Sequence, residues 1–461
     1  MASTSTSTNQ SKRLWEDYKQ LLSLSIPILL GSLAAIISGA IDTAMMGRTT
    51  TTALAGVAAS AAIYIIASNI VVAATTGHQV LAPRRYGASE PQQVGTSFWH
   101  SLVIAGGLGL ALMSLMLVTT SPLLLLVTQS PAVLQEAVGY LQVRAPGLLL
   151  IVPATLLRLT FNSNKETQWG MHASFITHGT NILFSYVLIF GWGPIPALGA
   201  VGNGIGSTLA DFVGLLYLIW IAWRQNLFKH IRPATWKMEQ HELRTLGKLS
   251  WPAMSSVVLD YGANLVLVGV MATLGASYLA GNRVAFNLLM IFFAATSSLA
   301  VGCLILSGRA LGANNWESAH YYRRRNQEIM LIILCTLAFP IIIWPQGILM
   351  FYTSLSEVQA VTLDAIRLIG LSVPLMVWSS NNVAMLRALG HTKQDMYANI
   401  ASVWLVQLPL GWLLATTFNW GLTGIYLGFM AYWLCRAILT QWMVRSAFNQ
   451  VRSTLTEAQV S

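Results

Sequence analysis

The chain has 461 residues, of which 55% are hydrophobic and only 9% charged, and its net charge is +10. Soluble domains carry about 25% charged residues, so a water-soluble enzyme or binding module is excluded. The basic excess does not point to nucleic acid, because the Lys and Arg residues are scattered through short segments between long apolar runs and form no basic domain or motif.

Met1 to Lys12 are rich in Ser, Thr and Asn and are expected to be unstructured. The apolar run that follows is too long for a signal peptide and carries an acid, Asp42, so it is expected to remain as the first span. About 20 apolar residues cross a bilayer as a helix. On that scale twelve spans are predicted, at 22–47, 53–79, 97–121, 131–160, 170–191, 198–223, 246–274, 279–307, 326–347, 359–386, 395–416 and 421–444.

The connecting charges alternate. Lys12, Arg13 and Lys19 precede the first span, Arg84 and Arg85 follow the second, and Lys165 follows the fourth. The longest loop, after the sixth, holds Arg224, Lys229, Arg232, Lys237, Arg244 and Lys248. Arg309 and Arg323 to Arg325 follow the eighth span, Arg387 and Lys393 the tenth, and Arg445 and Arg452 the last. The loops at 122–130, 192–197, 275–278, 348–356 and 417–420 have no Lys or Arg; Arg48 alone breaks the pattern. The positive-inside rule then puts both termini in the cytoplasm, with an even number of spans.

The sequence also repeats itself. A shift of 225 residues lays Ser25-x-Pro27 on Ser250-x-Pro252, Leu54-Ala-Gly56 on Leu279-Ala-Gly281, Gly77 on Gly302 and Arg84 on Arg309. With a slightly smaller shift, Arg144-x-x-Gly147 matches Arg367-x-x-Gly370, and Gly199-x-x-Gly202-x-x-x-Gly206 matches Gly421-x-x-Gly424-x-x-x-Gly428. So many matches at a near-constant offset identify an internal duplication. The expected fold is an all-α polytopic membrane protein with twelve transmembrane helices in two six-helix lobes, related by a pseudo-twofold along the membrane normal. The expected organisation is a cytoplasmic tail at 1–21, an N-terminal lobe at 22–223, a cytoplasmic linker at 224–245, a C-terminal lobe at 246–446 and a second cytoplasmic tail at 447–461.

Three acids fall within predicted spans: Asp42, Asp211 and Asp260. A charge inside a bilayer costs about 2.5–3.5 kcal/mol on insertion scales, so such an acid marks a functional site by default. Gly31, Ala35 and Ser38 share a helix face with Asp42 and are small or polar enough to line a cavity. Asp211 ends a ladder of four-residue steps, Asn203–Ser207–Asp211, and the fifth span carries Thr177–Asn181–Ser185 with His178 alongside. With Asp42 these predict a hydrophilic pocket in the N-terminal half. In the C-terminal half, Ser256–Asp260–Asn264 runs down the seventh span and Ser379, Ser380, Asn381 and Asn382 cluster in the tenth. Ser, Thr and Asn also join helices, each contact being worth about 0.6 kcal/mol, so the acids carry the stronger expectation. Their expected order of importance is Asp42, then Asp260, then Asp211.

Low dielectric disfavours the ionised form of a carboxylate and can bring proton exchange toward neutrality. Alternatively, oxygens of Asp, Asn, Ser and the backbone can hold a hard cation such as Na⁺. Either ion, by neutralising the acid, permits a second packing of the helices. Pro27, 15 residues before Asp42, and its repeat mate Pro252, eight before Asp260, are the expected hinges. Cys303, Cys335 and Cys435 have neither metal nor disulfide spacing. His78, His100 and His172 lack partners in the sequence and are read as structural.

Several segments resemble the MATE (multidrug and toxic compound extrusion) family. They are the two six-span halves, Pro27 followed by Ile-Asp42-Thr-Ala-Met-Met-Gly47, the loops Arg84-Arg85-Tyr-Gly87-Ala88 and Arg309-Ala-Leu-Gly312-Ala313, and Asn181-x-x-x-Ser185-x-x-Leu-Ile-Phe-Gly191. The resemblance covers essentially the whole chain. It implies a V-shaped pair of lobes that exports organic, often cationic, compounds in exchange for H⁺ or Na⁺. Asp42 resembles the first-helix acid shared by DinF-like and NorM-like members. Asn181 resembles the fifth-helix Asn of the DinF-like pocket, with Ser185 where those members often have a second Asp and Asn203 near a sixth-helix hydroxyl ligand. Asp260 resembles the seventh-helix acid of NorM-like members; their tenth-helix acid is absent, and Asn381 and Asn382 lie nearby. Asp42 and Asn181 are therefore the expected Na⁺ ligands if Na⁺ is the coupling ion.

A flippase of lipid-linked precursors is the alternative within the superfamily. Anionic cargo favours central Arg or Lys, whereas Arg144, Arg283 and Arg367 are expected toward the outer ends of their spans, where they can snorkel. A membrane enzyme is disfavoured by the absence of HExxH, CxxC and GxSxG motifs, and direct ATP drive by the absence of a P-loop. Met45, Met46, Met290, Trp378 and His178 are expected to wall the cargo cavity, Met because it adapts to many shapes. The expected protein is a monomer in the bacterial inner membrane, with small organic molecules, a monovalent cation and lipid as partners and with no cofactor.

Overall fold

The computed structural model describes the backbone of residues 3–125, 127–233 and 235–460, and the side chains of those between 15 and 449. Helix follows helix: α1 (Ser3–Met46), α2 (Thr51–Ala73), α3 (Thr76–Gly87), α4 (Pro91–Leu125), α5 (Pro131–Arg144), α6 (Gly147–Ser163), α7 (Thr167–Phe190), α8 (Gly199–Arg224) and α9 (Leu227–His230). Then come α10 (Gln240–Leu274), α11 (Ala276–Gly312), α12 (Trp316–Ile343), α13 (Pro345–Tyr352), α14 (Ser356–Ala388), α15 (Thr392–Ile400), α16 (Leu408–Trp412) and α17 (Gly421–Val460). The only strand pairing among the described residues is an isolated bridge between Trp192 and Ile195.

Among the described residues, eleven helices are long and apolar enough to cross a membrane, with α2 and α3 counting as one (Thr51–Gly87) and α15 continuing to Thr417. Taken together, α5 and α6, bent by 43°, also pass by length and composition, which brings the number to twelve if they form one span. The fourth span is thus broken where the sequence reading had one helix. Pro146, at the break, has no N–H to continue the hydrogen-bond ladder. Gly147 follows it, and a Cβ there would collide with the Arg144 guanidinium. The eleventh span is irregular as well: Ala401–Gln407 and Leu413–Thr417 on either side of α16 are π-helical. Pro409 between them cannot donate to the carbonyl one turn back, which favours a locally wider coil.

The N-terminal tail is more helical than expected. Residues 3–12, expected to be unstructured, continue α1; the side chains of residues 1–14 and 450–461 lie outside the described residues. The linker expected at 224–245 contains α9 and the first six residues of α10.

Internal contacts divide the chain into two compact units, Ile26–Val257 and Met1–Ser25 together with Val258–Ser461. The seams do not fall in the linker. They pass through α1 two residues before Pro27 and through α10 five residues after Pro252, so the 224–245 segment belongs with the first unit. Several contacts hold it there. Arg85 grips Glu242 through two bonds of 2.7 and 2.8 Å, and the Ile231 backbone lies so close to Gly95 that no side chain fits at that position.

The core of the unit Ile26–Val257 is built from buried Phe98, Leu156, Phe161, Leu218 and Ile221. His78 lies inside it, bonded at 3.0 Å to both Ser97 and Thr160. His100 bonds the Thr96 carbonyl and accepts from the Glu239 N–H. Both are structural, as expected. In the other unit Leu21 and Leu24 pack on Ile305, Leu306 and Ile329.

Candidate functional site

Close helix packing brings the polar ladders of the unit Ile26–Val257 together. A Cβ at Gly206 would stand 2.8 Å from the Ser185 nitrogen, and one at Gly202 would collide with the Leu188 carbonyl. These small residues let the α7 and α8 backbones approach, which sets Asn181 and Ser185 of α7 against Asn203 and Ser207 of α8. On the opposite side, Gly31 gives α1 the same access to α7: a Cβ there would lie 3.0 Å from Ser174 Oγ. Ser38 and Asp42, two and three turns further along α1, therefore reach Asn181.

Asn181 is the centre of the group. Its amide lies 3.1 and 3.2 Å from the two carboxylate oxygens of Asp42. With the amide nitrogen on that side, Asn181 donates to both oxygens and to Ser38 Oγ at 2.8 Å, while Ser207 donates to its carbonyl at 3.0 Å. This arrangement suits an ionised Asp42. The Asn181 amide also lies 3.4 Å from Ser185 Oγ. Ser185 also donates to Asn203 Oδ1 at 3.4 Å. Asn181, Ser185 and Asn203 are buried and Asp42 is half-buried, so the carboxylate is the part of the cluster open to exchange.

Asp211 does not join this cluster, although its ladder predicts it. Arg144 Nη1 holds its carboxylate at 2.7 Å, and the guanidinium carbon Cζ lies 4.2 Å from the centre of the Tyr64 ring. The expectation that Arg144 snorkels at an outer end is also corrected: the α5–α6 break places it in mid-span, where an acid and a ring face it. Arg283, by contrast, is exposed, and Arg367 pairs with exposed Asp364. Asp211 and His178 instead line a cavity of about 170 Å³ between α6, α7 and α8.

In the other unit, Asn399 donates to Asp260 at 2.7 Å. The network continues from Asn399 to Tyr432 (3.0 Å), Tyr432 to Arg436 (2.6 Å), and Arg436 to Asp395 (2.9 Å), which Arg387 grips from the other side at 2.8 Å. Asp260 is exposed, whereas Asp395 is buried between its two guanidiniums. Asn264 is exposed and outside this network. Asn381 and Asn382 belong to a different cluster: Asn381 accepts from Asn326 at 2.9 Å, and Asn382 accepts from Arg323 at 2.7 Å and donates to Gln441 at 3.1 Å.

The sequence reading missed Asn399, Tyr432, Arg436 and Asp395. A signal for Asn399 did exist: Asp260 and Asn399 each lie 218 residues after Asp42 and Asn181. Of the expected cavity walls, Met45 and Met46 are buried in a core with Ala53, Tyr140 and Ile189 instead. Met290 is half-buried, and Trp378 is 42% exposed while donating to Gln441. Pro27 and Pro252 both lie inside continuous helices.

A sequence model of the family described as MatE matches residues 27–187 and 252–413. The chain is 24% identical to the probable multidrug resistance protein NorM of Thermotoga maritima, over 96% of this chain and 95% of that protein. It is 26% identical to the multidrug resistance protein MdtK of Edwardsiella ictaluri, over 96% of this chain and 98% of that protein. Its fold is similar to a crystal structure of MATE in the bent conformation, with a TM-score of 0.87 at 18% identity, covering 95% of this chain and 97% of that one.

Proposed function

This chain belongs to the MatE family of membrane transporters, and on that premise we propose that it is an antiporter that expels organic, often cationic, small molecules in exchange for a monovalent cation bound at Asp42. The relation of Asp42 to Asn181 carries this reading. One half-buried carboxylate faces the Asn181 amide at 3.1 and 3.2 Å, with Ser38 and Ser207 on the same amide. Neutralising the acid by an ion removes the charge that the Asn181 N–H groups bind and thereby favours a different packing of α1 on α7. Pro27 weakens α1 two residues from the seam between the units and supplies a joint for that change.

One carboxylate with neutral oxygens from Asn181, Ser38 and Ser207 is a donor set that accepts either H⁺ or Na⁺. Asp260 with Asn399 is a second acid–amide pair, and we assign it a supporting part in ion binding. The names of the relatives, which are multidrug resistance proteins, support organic cargo. The alternation of Lys- and Arg-rich loops supports cytoplasmic termini, and the bacterial relatives support an inner-membrane location for a chain acting as a monomer. An anionic lipid cargo would call for unmatched positive charge beside the acid–amide pair, where none is found among the described residues.

Efflux from proteoliposomes under separately imposed Na⁺ and H⁺ gradients tests the reading. One gradient should drive export by the parent protein, and Asp42→Asn should abolish that response. Gradient-driven efflux that survives Asp42→Asn would refute the assignment.

A further inference from the structure

Arg158 on α6 stands out among the charged groups inside the unit Ile26–Val257. It lines the 170 Å³ cavity between α6, α7 and α8 together with Asp211, His178 and Thr177. The one carboxylate there, Asp211, is already held at 2.7 Å by Arg144 from outside the cavity. Arg158 has no carboxylate within 4.0 Å among the described residues; its one hydrogen bond is a long 3.5 Å contact to the Thr155 hydroxyl of its own helix. Two guanidiniums thus share one acid, and the excess positive charge is directed into the cavity. A cation removed from water favours an anion that can reach it, and a guanidinium fork matches a carboxylate with two parallel bonds.

Apart from Ser174 the rest of the wall is apolar, with Leu150, Ile151, Ala154 and Leu218 contributing to it. A cavity of about 150 Å³ with such walls holds a benzene ring, so this one has room for a single ring and a small polar group. We propose that the α6–α7–α8 cavity is a binding site for a small monocarboxylate with an apolar ring, whose carboxylate is paired by Arg158 and whose ring lies against Leu150 and Leu218. The site is separate from the Asp42 cluster and of opposite polarity, so it takes a different class of ligand from the cationic cargo. Its existence does not rest on the transport reading, because binding is measured without any gradient.

The test uses the purified full-length protein in lipid nanodiscs with benzoate as probe and benzylamine as its cationic counterpart, read by calorimetry and by the shift in melting temperature. Benzoate should bind and raise the melting temperature, and benzylamine should do neither. Arg158→Gln should weaken benzoate at least tenfold, whereas Arg283→Gln, which removes an exposed arginine, should leave it unchanged. Should Arg158→Gln fail to fold, Ala154→Leu, which fills the cavity and keeps the charge, should abolish binding. Absence of benzoate binding, equal binding of benzylamine, or benzoate binding indifferent to Arg158→Gln or to Ala154→Leu would each overturn the proposal.

Discussion

Asn399 donates to Asp260 at 2.7 Å, and 218 residues earlier Asn181 faces Asp42 across 3.1 Å. The duplication has therefore kept an acid–amide pair in both halves of the chain. The two copies differ in surroundings and in depth. Asp42 lies among neutral Ser and Asn side chains, whereas Asp260 connects through Asn399 and Tyr432 to Arg436. Asp260 also stands seven residues, about two helical turns, closer to its proline.

That difference predicts unequal roles. Asp260→Asn should lower gradient-driven efflux and leave its dependence on the gradient in place, whereas Asp42→Asn should remove the dependence. Transport assayed in the two variants with the driving ion at both high and low concentration separates them. Equal loss in both variants would mean that the two acids act as one unit.

The Asn181 amide should matter nearly as much as the acid. Asn181→Leu deprives Asp42 of the amide that donates to both of its oxygens. A hydrogen bond to a charged group contributes about 1.5–3 kcal/mol, so the affinity for the coupling ion should fall about tenfold or more. Isothermal titration of Na⁺, or proton release on substrate addition, reports it. Asn181→Asp should restore part of the affinity and raise the preference for a bound cation.

Arg144 and Asp211 are predicted to be structural partners. Removing one member of this half-buried pair strands the other charge, at a cost of up to about 3–5 kcal/mol, the figure for a fully buried pair. Arg144→Met and Asp211→Leu should each lower the melting temperature strongly in detergent. The double variant should regain most of the loss, since it leaves no unmatched charge. A double variant as unstable as the sum of the single ones would show that the pair is not the stabilising contact.

The packing of α7 on α8 gives a further contrast. Gly206→Ala places a Cβ against the Ser185 backbone and, as an overpacking substitution, should cost about 1–3 kcal/mol. It should also disturb efflux, because Ser185 adjoins Asn181. Gly179→Ala, on α7 with nothing within 4 Å of the new Cβ, should be neutral or stabilising by up to about 1 kcal/mol. Thermal unfolding of both variants provides the comparison.

Much of this protein is determined by local chemistry and is therefore legible in the sequence. Apolar runs long enough to span a bilayer, the duplication that pairs Pro27 with Pro252, and the cost of an acid inside lipid led to the helical class, the two halves and Asp42 with Asn181. What only the tertiary structure decided is the pairing of charges between distant helices. Asp211 ends a polar ladder and reads like Asp42 on its own helix, but the break at Pro146 swings Arg144 inward and takes it out of the cluster. Asn381 and Asn382 are bound instead by Arg323 and Asn326, and Met45 and Met46 fill a core. A four-residue ladder specifies which side chains share a face. It cannot specify which neighbour that face meets, because the choice depends on helix breaks and glycine contacts that act across a hundred residues of chain.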